Sequence, residues 1–199
     1  MGRSLLRATV VATTALAPSL AFAHPGHGDA FGFAAGVGHP IGGLDHVLAM
    51  VMVGVFAAQL GGRALWAVPA AFVGVMAIGG ALGMAGVAVP FVETGIALSI
   101  VVLGAVVAFG VKAPVAAAMA LVGLFAVFHG YAHGAEMPET AGGAAYAAGF
   151  MLATALLHAA GVGFGLLIGK ASEAHGGLVT RAAGGLAAVV GLAILTGVA

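Results

Sequence analysis

The sequence predicts an all-α, polytopic membrane protein: a bundle of about six transmembrane helices after a cleaved signal peptide. Three observations lead there. Hydrophobic residues make up 62% of the 199-residue chain and charged residues only 6%. Mean hydropathy is +1.20, whereas a water-soluble domain needs far more charge to cover its surface. The apolar stretches are also interrupted at intervals close to the roughly 20 residues that cross a hydrocarbon core. Formal net charge is zero, so no basic surface exists for nucleic acid, and none is expected as a partner. Cysteine is absent, which excludes disulfides and thiolate metal sites and leaves the redox compartment undetermined.

The first element is residues 1–23, which read as a secretory signal. Arg3 and Arg7 form a positive start, 10–20 is a short apolar core, and Ala21-Phe22-Ala23 is a small-x-small cleavage site. Pro18 interrupts the apolar core, which disfavours an uncleaved first span. The expected mature chain is a single transmembrane domain, 24–199, starting at His24.

Six spans follow, near 40–60, 64–86, 90–110, 113–131, 144–169 and 178–198. Glycine, proline and charge mark most of the breaks, as at Gly61-Gly62-Arg63 and Val111-Lys112. The stretch 31–38 is apolar but glycine-rich, and a continuous helix over 30–60 would be about 45 Å long, too long for the bilayer core. Gly38-His39-Pro40 predicts a break at His39, with a short or re-entrant helix before it. Gly161, Gly165 and Gly169, and Gly79 with Gly83, are spaced as small-xxx-small packing faces.

Charge orients the bundle. With the signal removed, the mature amino terminus is periplasmic. Arg63, Lys112, Lys170 and Arg181 then all fall on the cytoplasmic side, as the positive-inside rule requires. The expected location is the bacterial inner membrane, multi-pass, with both mature ends outside the cytoplasm.

Ionisable groups inside a bilayer are costly and mark sites or pathways. Here they cluster. The first span opens on His39-Pro-Ile-Gly-Gly-Leu-Asp45-His46 and the fourth closes on Phe128-His129-Gly-Tyr-Ala-His133-Gly-Ala-Glu136. Spacing of seven puts His39 and His46 on one helical face. Spacings of four and seven do the same for His129, His133 and Glu136. Imidazoles at i and i+4 can both reach one metal ion, and a carboxylate can complete or orient the set. Asp45, one residue from His46, either binds from another angle or fixes the tautomer of another helix's histidine. The topology places both motifs in the outer half of the membrane, with Glu93 entering from the same side as a pathway or secondary metal residue. His158, alone in the fifth span, either hydrogen-bonds a neighbouring helix or lies on a pathway. His24 and His27, at the new amino terminus, are a secondary metal-capture candidate. Imidazole with carboxylate suits nickel, cobalt, zinc or copper(II) better than magnesium or calcium.

At these residues the chain resembles the HupE/UreJ family of nickel/cobalt membrane transporters. The first motif is similar to the family's His-Pro-x-x-Gly-x-Asp-His pattern and the second to its Phe-His-Gly-x-x-His-Gly-x-Glu pattern. The resemblance implies metal-handling roles for His39, Asp45, His46, His129, His133 and Glu136. It implies no permanent cofactor: Ni²⁺ or Co²⁺, with Zn²⁺ as a further candidate, is the transported ion. Implied partners are the divalent ion, the lipid bilayer, a second copy of the chain, and hydrogenase or urease maturation.

The leading expectation is a secondary transporter or facilitator carrying Ni²⁺ or Co²⁺ inward, and not an enzyme. No Gly-x-x-x-x-Gly-Lys-Ser/Thr phosphate loop is present to drive it with ATP. Two rivals are an intramembrane metal-dependent hydrolase, disfavoured because no His-Glu-x-x-His run occurs, and a haem-binding electron carrier, in which carboxylates so near would be unusual.

Overall fold

The computed structural model describes residues 28–137, 142–171 and 176–198. Seven helices and no strand occur among them: α1 Gly28–Gly42, α2 Leu44–Leu60, α3 Ala64–Met84, α4 Val92–Phe109, α5 Val115–Ala135, α6 Gly143–Ala171 and α7 Gly176–Leu195. Helices α3 to α7 are each long and apolar enough to cross a membrane, and α1 with α2 form one further span bent by 81°. The chain is an all-α, multi-pass membrane bundle. The predicted signal segment, with His24 and His27, lies outside the described residues, as do 138–141 and 172–175.

Glycines end the helices where a tight reversal is needed. Gly61 and Gly62 take φ of 69° and 51° to turn α2 into α3, and Gly110 closes α4 in the left-handed conformation.

The first span departs from its expected geometry. Helix α1 runs through His39 and contains Pro40, and the break falls at Gly43, which is extended at φ −101°. Pro40 removes one hydrogen bond from the last turn of α1 without ending the helix there. His39 and His46 therefore do not share a helical face; the bend brings them together from two helices. The fourth span also extends past 131, so that α5 includes His133, ends at Ala135 and is capped by Glu136.

Small residues allow backbone contact between helices. Gly79 and Gly83 of α3 lie against carbonyls of Val127 and Tyr131, while Gly130 and Gly134 of α5 lie against those of Met76 and Gly80. Helices α1 and α6 interlock through Gly36 and Gly149, α2 and α6 through Gly54 and Gly161, and α4 and α7 through Gly104 and Gly184. Gly165 also packs, on Ala58; the Cβ direction of Gly169 is open, but Gly176 of α7 sits close against its Cα.

A Cβ at Gly130 would meet backbone, which cannot rotate away. Gly130→Leu is therefore expected to cost at least the roughly 1–3 kcal/mol of ordinary overpacking. Thermal unfolding in detergent checks this: a parental Tm with a monodisperse elution profile would refute the α3–α5 contact.

The two ends of the bundle differ in charge. At one end the Lys112 ammonium donates to the carbonyl of Gln59, and the Arg181 guanidinium donates to those of Ala108 and Phe109. Cations there satisfy carbonyls at the carboxyl ends of α2 and α4. Arg63 stands at the same end, over the Trp66 ring. Asp45, Glu93 and Glu136 stand at the other end, at the start of α2, the start of α4 and the cap of α5.

Candidate metal centre

Both sequence motifs meet at that second end. Helix α1 presents His39 in its last turn, α2 presents His46 in its first, and α5 presents His129 and His133 in its last two turns. The four imidazoles form a continuous row. Ring centres are 4.9 Å apart from His39 to His133, 4.7 Å from His133 to His46, and 4.9 Å from His46 to His129. The row leads inward: the His39 side chain is 32% exposed, whereas His133 and His129 are fully buried.

Hydrogen bonds set which nitrogen each ring keeps free. The Asp45 carboxylate, an acceptor only, lies 3.0 Å from His46 Nδ1. That nitrogen therefore carries the proton, and Nε2 keeps its lone pair. The Glu136 carboxylate likewise lies 3.0 Å from His39 Nε2, as an ion pair between α1 and the cap of α5. Ser99 Oγ donates its one proton to the Ile96 carbonyl at 2.6 Å. It must therefore accept from His129 Nε2–H at 2.9 Å, so His129 Nδ1 is bare. His46 Nε2, His129 Nδ1 and both nitrogens of His133 are buried without a hydrogen-bond partner in the protein.

Buried polar atoms without partners are costly and mark a place built for something else. Lone-pair nitrogens are what a borderline divalent transition metal takes, and hydrogen bonds from the opposite ring nitrogens hold them in the right tautomer. Asp45 and Glu136 are thus placed to orient imidazoles. Asp45 acts on its own neighbour, not on another helix's histidine as one expected alternative had it. No three His, Asp or Glu side chains among the described residues already stand in a metal-holding arrangement. The rings pack largely edge to face, at 89° between His46 and His129, so gripping an ion requires side-chain rotation.

The remaining candidates separate. Glu93 is exposed in the first turn of α4, and no described hydrogen bond or ion pair ties it to the row. His158 is buried on α6, outside the row, with both nitrogens unpartnered, so the interhelical hydrogen bond considered for it is not made among the described residues.

Three contributors were not singled out from the sequence. Ser99 fixes the His129 tautomer; Phe150 stacks on His133 at 5.1 Å and 17°; Tyr146 packs beside His39 with its hydroxyl buried and unpartnered. Ser99 alone had a legible signal, as a polar residue inside a strongly apolar span. Aromatic residues in a membrane helix carry no such mark.

The family described as HupE / UreJ protein matches residues 11–194 of the chain. A curated relative, "Protein HupE" of Rhizobium leguminosarum bv. viciae, is 51% identical over 191 residues, covering 95% of this chain and 96% of the relative. No solved structure matches the chain.

Proposed function

The chain belongs to the HupE/UreJ family, and from that premise we propose that it carries Ni²⁺ or Co²⁺ inward across the bacterial inner membrane, with the imidazole row as its selective binding site. The observation that carries this reading is the set of buried, unpartnered nitrogens at one end of a membrane bundle. Four imidazoles backed by two carboxylates and a serine suit a borderline divalent ion, and they lie inside the span, where a soluble metal store has no use for them.

Orientation follows from charge. Arg63, Lys112 and Arg181 at one end belong on the cytoplasmic side, which puts the row on the periplasmic side. The ion is captured outside, loses part of its water shell to His39, and is handed along successive rings. It is substrate, not resident cofactor. The protein works as a secondary transporter or facilitator, not as an enzyme, with 1–23 as a removed signal and 24–199 as the working domain. In the cell the ion delivered would serve hydrogenase or urease maturation.

The test is uptake by proteoliposomes holding a metal-sensing dye. Ni²⁺ and Co²⁺ should enter at rates about tenfold or more above protein-free vesicles, with Mg²⁺ near background, because imidazole donors disfavour the harder ion. Equal rates for Mg²⁺ and Ni²⁺, or none for any of these ions, would refute the reading.

A further inference from the structure

The imidazole row does not stop at His129. The next aromatic ring inward is Phe72 of α3, with ring centres 5.7 Å apart. Beyond Phe72, at 5.0 Å, stands the ring of His158. His158 is 1% exposed, and neither of its nitrogens has a hydrogen-bond partner. A buried imidazole with both nitrogens idle has no evident structural task.

What lies next to His158 gives it one. A groove of about 530 Å³ runs between α3 and α6, open to the outside of the bundle at Ala70, Ala155 and Ala159, and His158 lines its floor beside Leu65, Pro69, Val73 and Val162. Leu65 and Pro69 belong to the first two turns of α3, at the bundle end opposite the row. Pro69 has no N–H to give the Leu65 carbonyl, so this oxygen lacks the donor a helix would normally supply. An otherwise apolar groove thus has an unpartnered imidazole, and the helix beside it is interrupted in its hydrogen-bond ladder at Pro69. Irregular backbone and polar groups at membrane depth are tolerated where they line a pathway.

We propose that His158 is a second, inner stopping point for the divalent ion, and that the Phe72 ring is the partition between it and the outer row. This rests on the transport reading above. From His39 to His158 each ring touches the next in an unbroken, bent succession, and Phe72 is the member that cannot ligate a metal. An ion held by the outer nitrogens meets an apolar ring before it reaches the next donor. A swing of that ring about its side-chain torsions opens the step. The inner stop then has one imidazole, His158, with water completing the ion's shell, a weaker set than the outer one, as release toward the cytoplasm requires.

The experiment compares Ni²⁺ affinity in detergent with Ni²⁺ uptake in proteoliposomes, full chain throughout. His158→Gln should keep outer-site affinity within about threefold of the parent but lower uptake about tenfold, since it removes a donor from the path and none from the row. Phe72→Ala should leave affinity similarly unchanged and raise uptake by about threefold or more, because the barrier is removed. Should His158→Gln fail to fold, the Phe72 variant decides. If the parent transports Ni²⁺ but every folded variant of the two keeps uptake within about threefold, the relay is refuted and the transport reading stands. If His158→Gln loses affinity as well as uptake, His158 belongs to the outer site and the partition is refuted. If the parent binds Ni²⁺ without transporting it, the transport reading fails and the relay with it.

Discussion

His133→Ala should abolish high-affinity Ni²⁺ binding. His133 lies between His39 and His46 in the row, and both its nitrogens are unpartnered and buried. Its stacked face is covered by Phe150, which offers no donor, and His39 and His46 already contribute their own nitrogens to the row. Loss of a group that merely orients a metal-binding histidine costs about 10–100-fold in affinity, so loss of the donor itself should reach or exceed the upper figure. Ser99→Ala provides the contrast. It removes only the acceptor that fixes His129, and should cost affinity within that 10–100-fold span, roughly tenfold at least. Titration calorimetry in detergent, with Tm measured on each variant, separates loss of donors from loss of fold. A folded His133→Ala protein with parental affinity would make the second motif structural.

Acid outside should suppress transport steeply. A metal takes only the neutral imidazole, whose ordinary pKa is about 6.5, so protons and metal compete for the same lone pairs. The sign follows: lowering external pH through about 6 weakens binding and uptake, and raising it restores both. With more than one imidazole in the site, the fall should be steeper than for a single group. His46→Ala should therefore lower the slope as well as the plateau. Initial Ni²⁺ uptake measured against external pH, with internal pH clamped, gives both quantities. A flat profile between roughly pH 5 and 8 would remove histidine ligation as the basis of transport.

Much of this protein is legible in its sequence because a membrane leaves few options. Runs of Ala, Val, Leu and Gly of bilayer length can only be helices, since backbone groups in lipid must bond within their own segment. The motif residues are legible for the same reason: histidines and carboxylates are too costly in such runs to be there idly. What escaped was local geometry. Pro40 and Gly43 are both plausible breakpoints, and only packing of α1 against α6, with Gly36 on Tyr146 and Gly149 on Phe33, keeps the helix intact through the proline. The roles of Asp45 and Glu136 were open for a related reason. Spacing along one helix places them near histidines, but which ring nitrogen each holds depends on contacts between helices. Phe72 was invisible because a phenylalanine in an apolar span carries no signal until its neighbours are known.

The glycine-to-carbonyl contacts have a mechanical consequence. They lock α3 to α5 as one rigid unit, and α1 and α2 to α6 as another. His129, His133 and Phe72 ride on the first unit; His39, His46 and His158 ride on the second. Four of the five steps between successive rings cross the seam between the two units: His39 to His133, His133 to His46, His46 to His129, and Phe72 to His158. The exception is His129 to Phe72, within one unit. Sliding one unit by a fraction of a helical turn would therefore change the grip on an ion at nearly every station at once, with no helix unwinding.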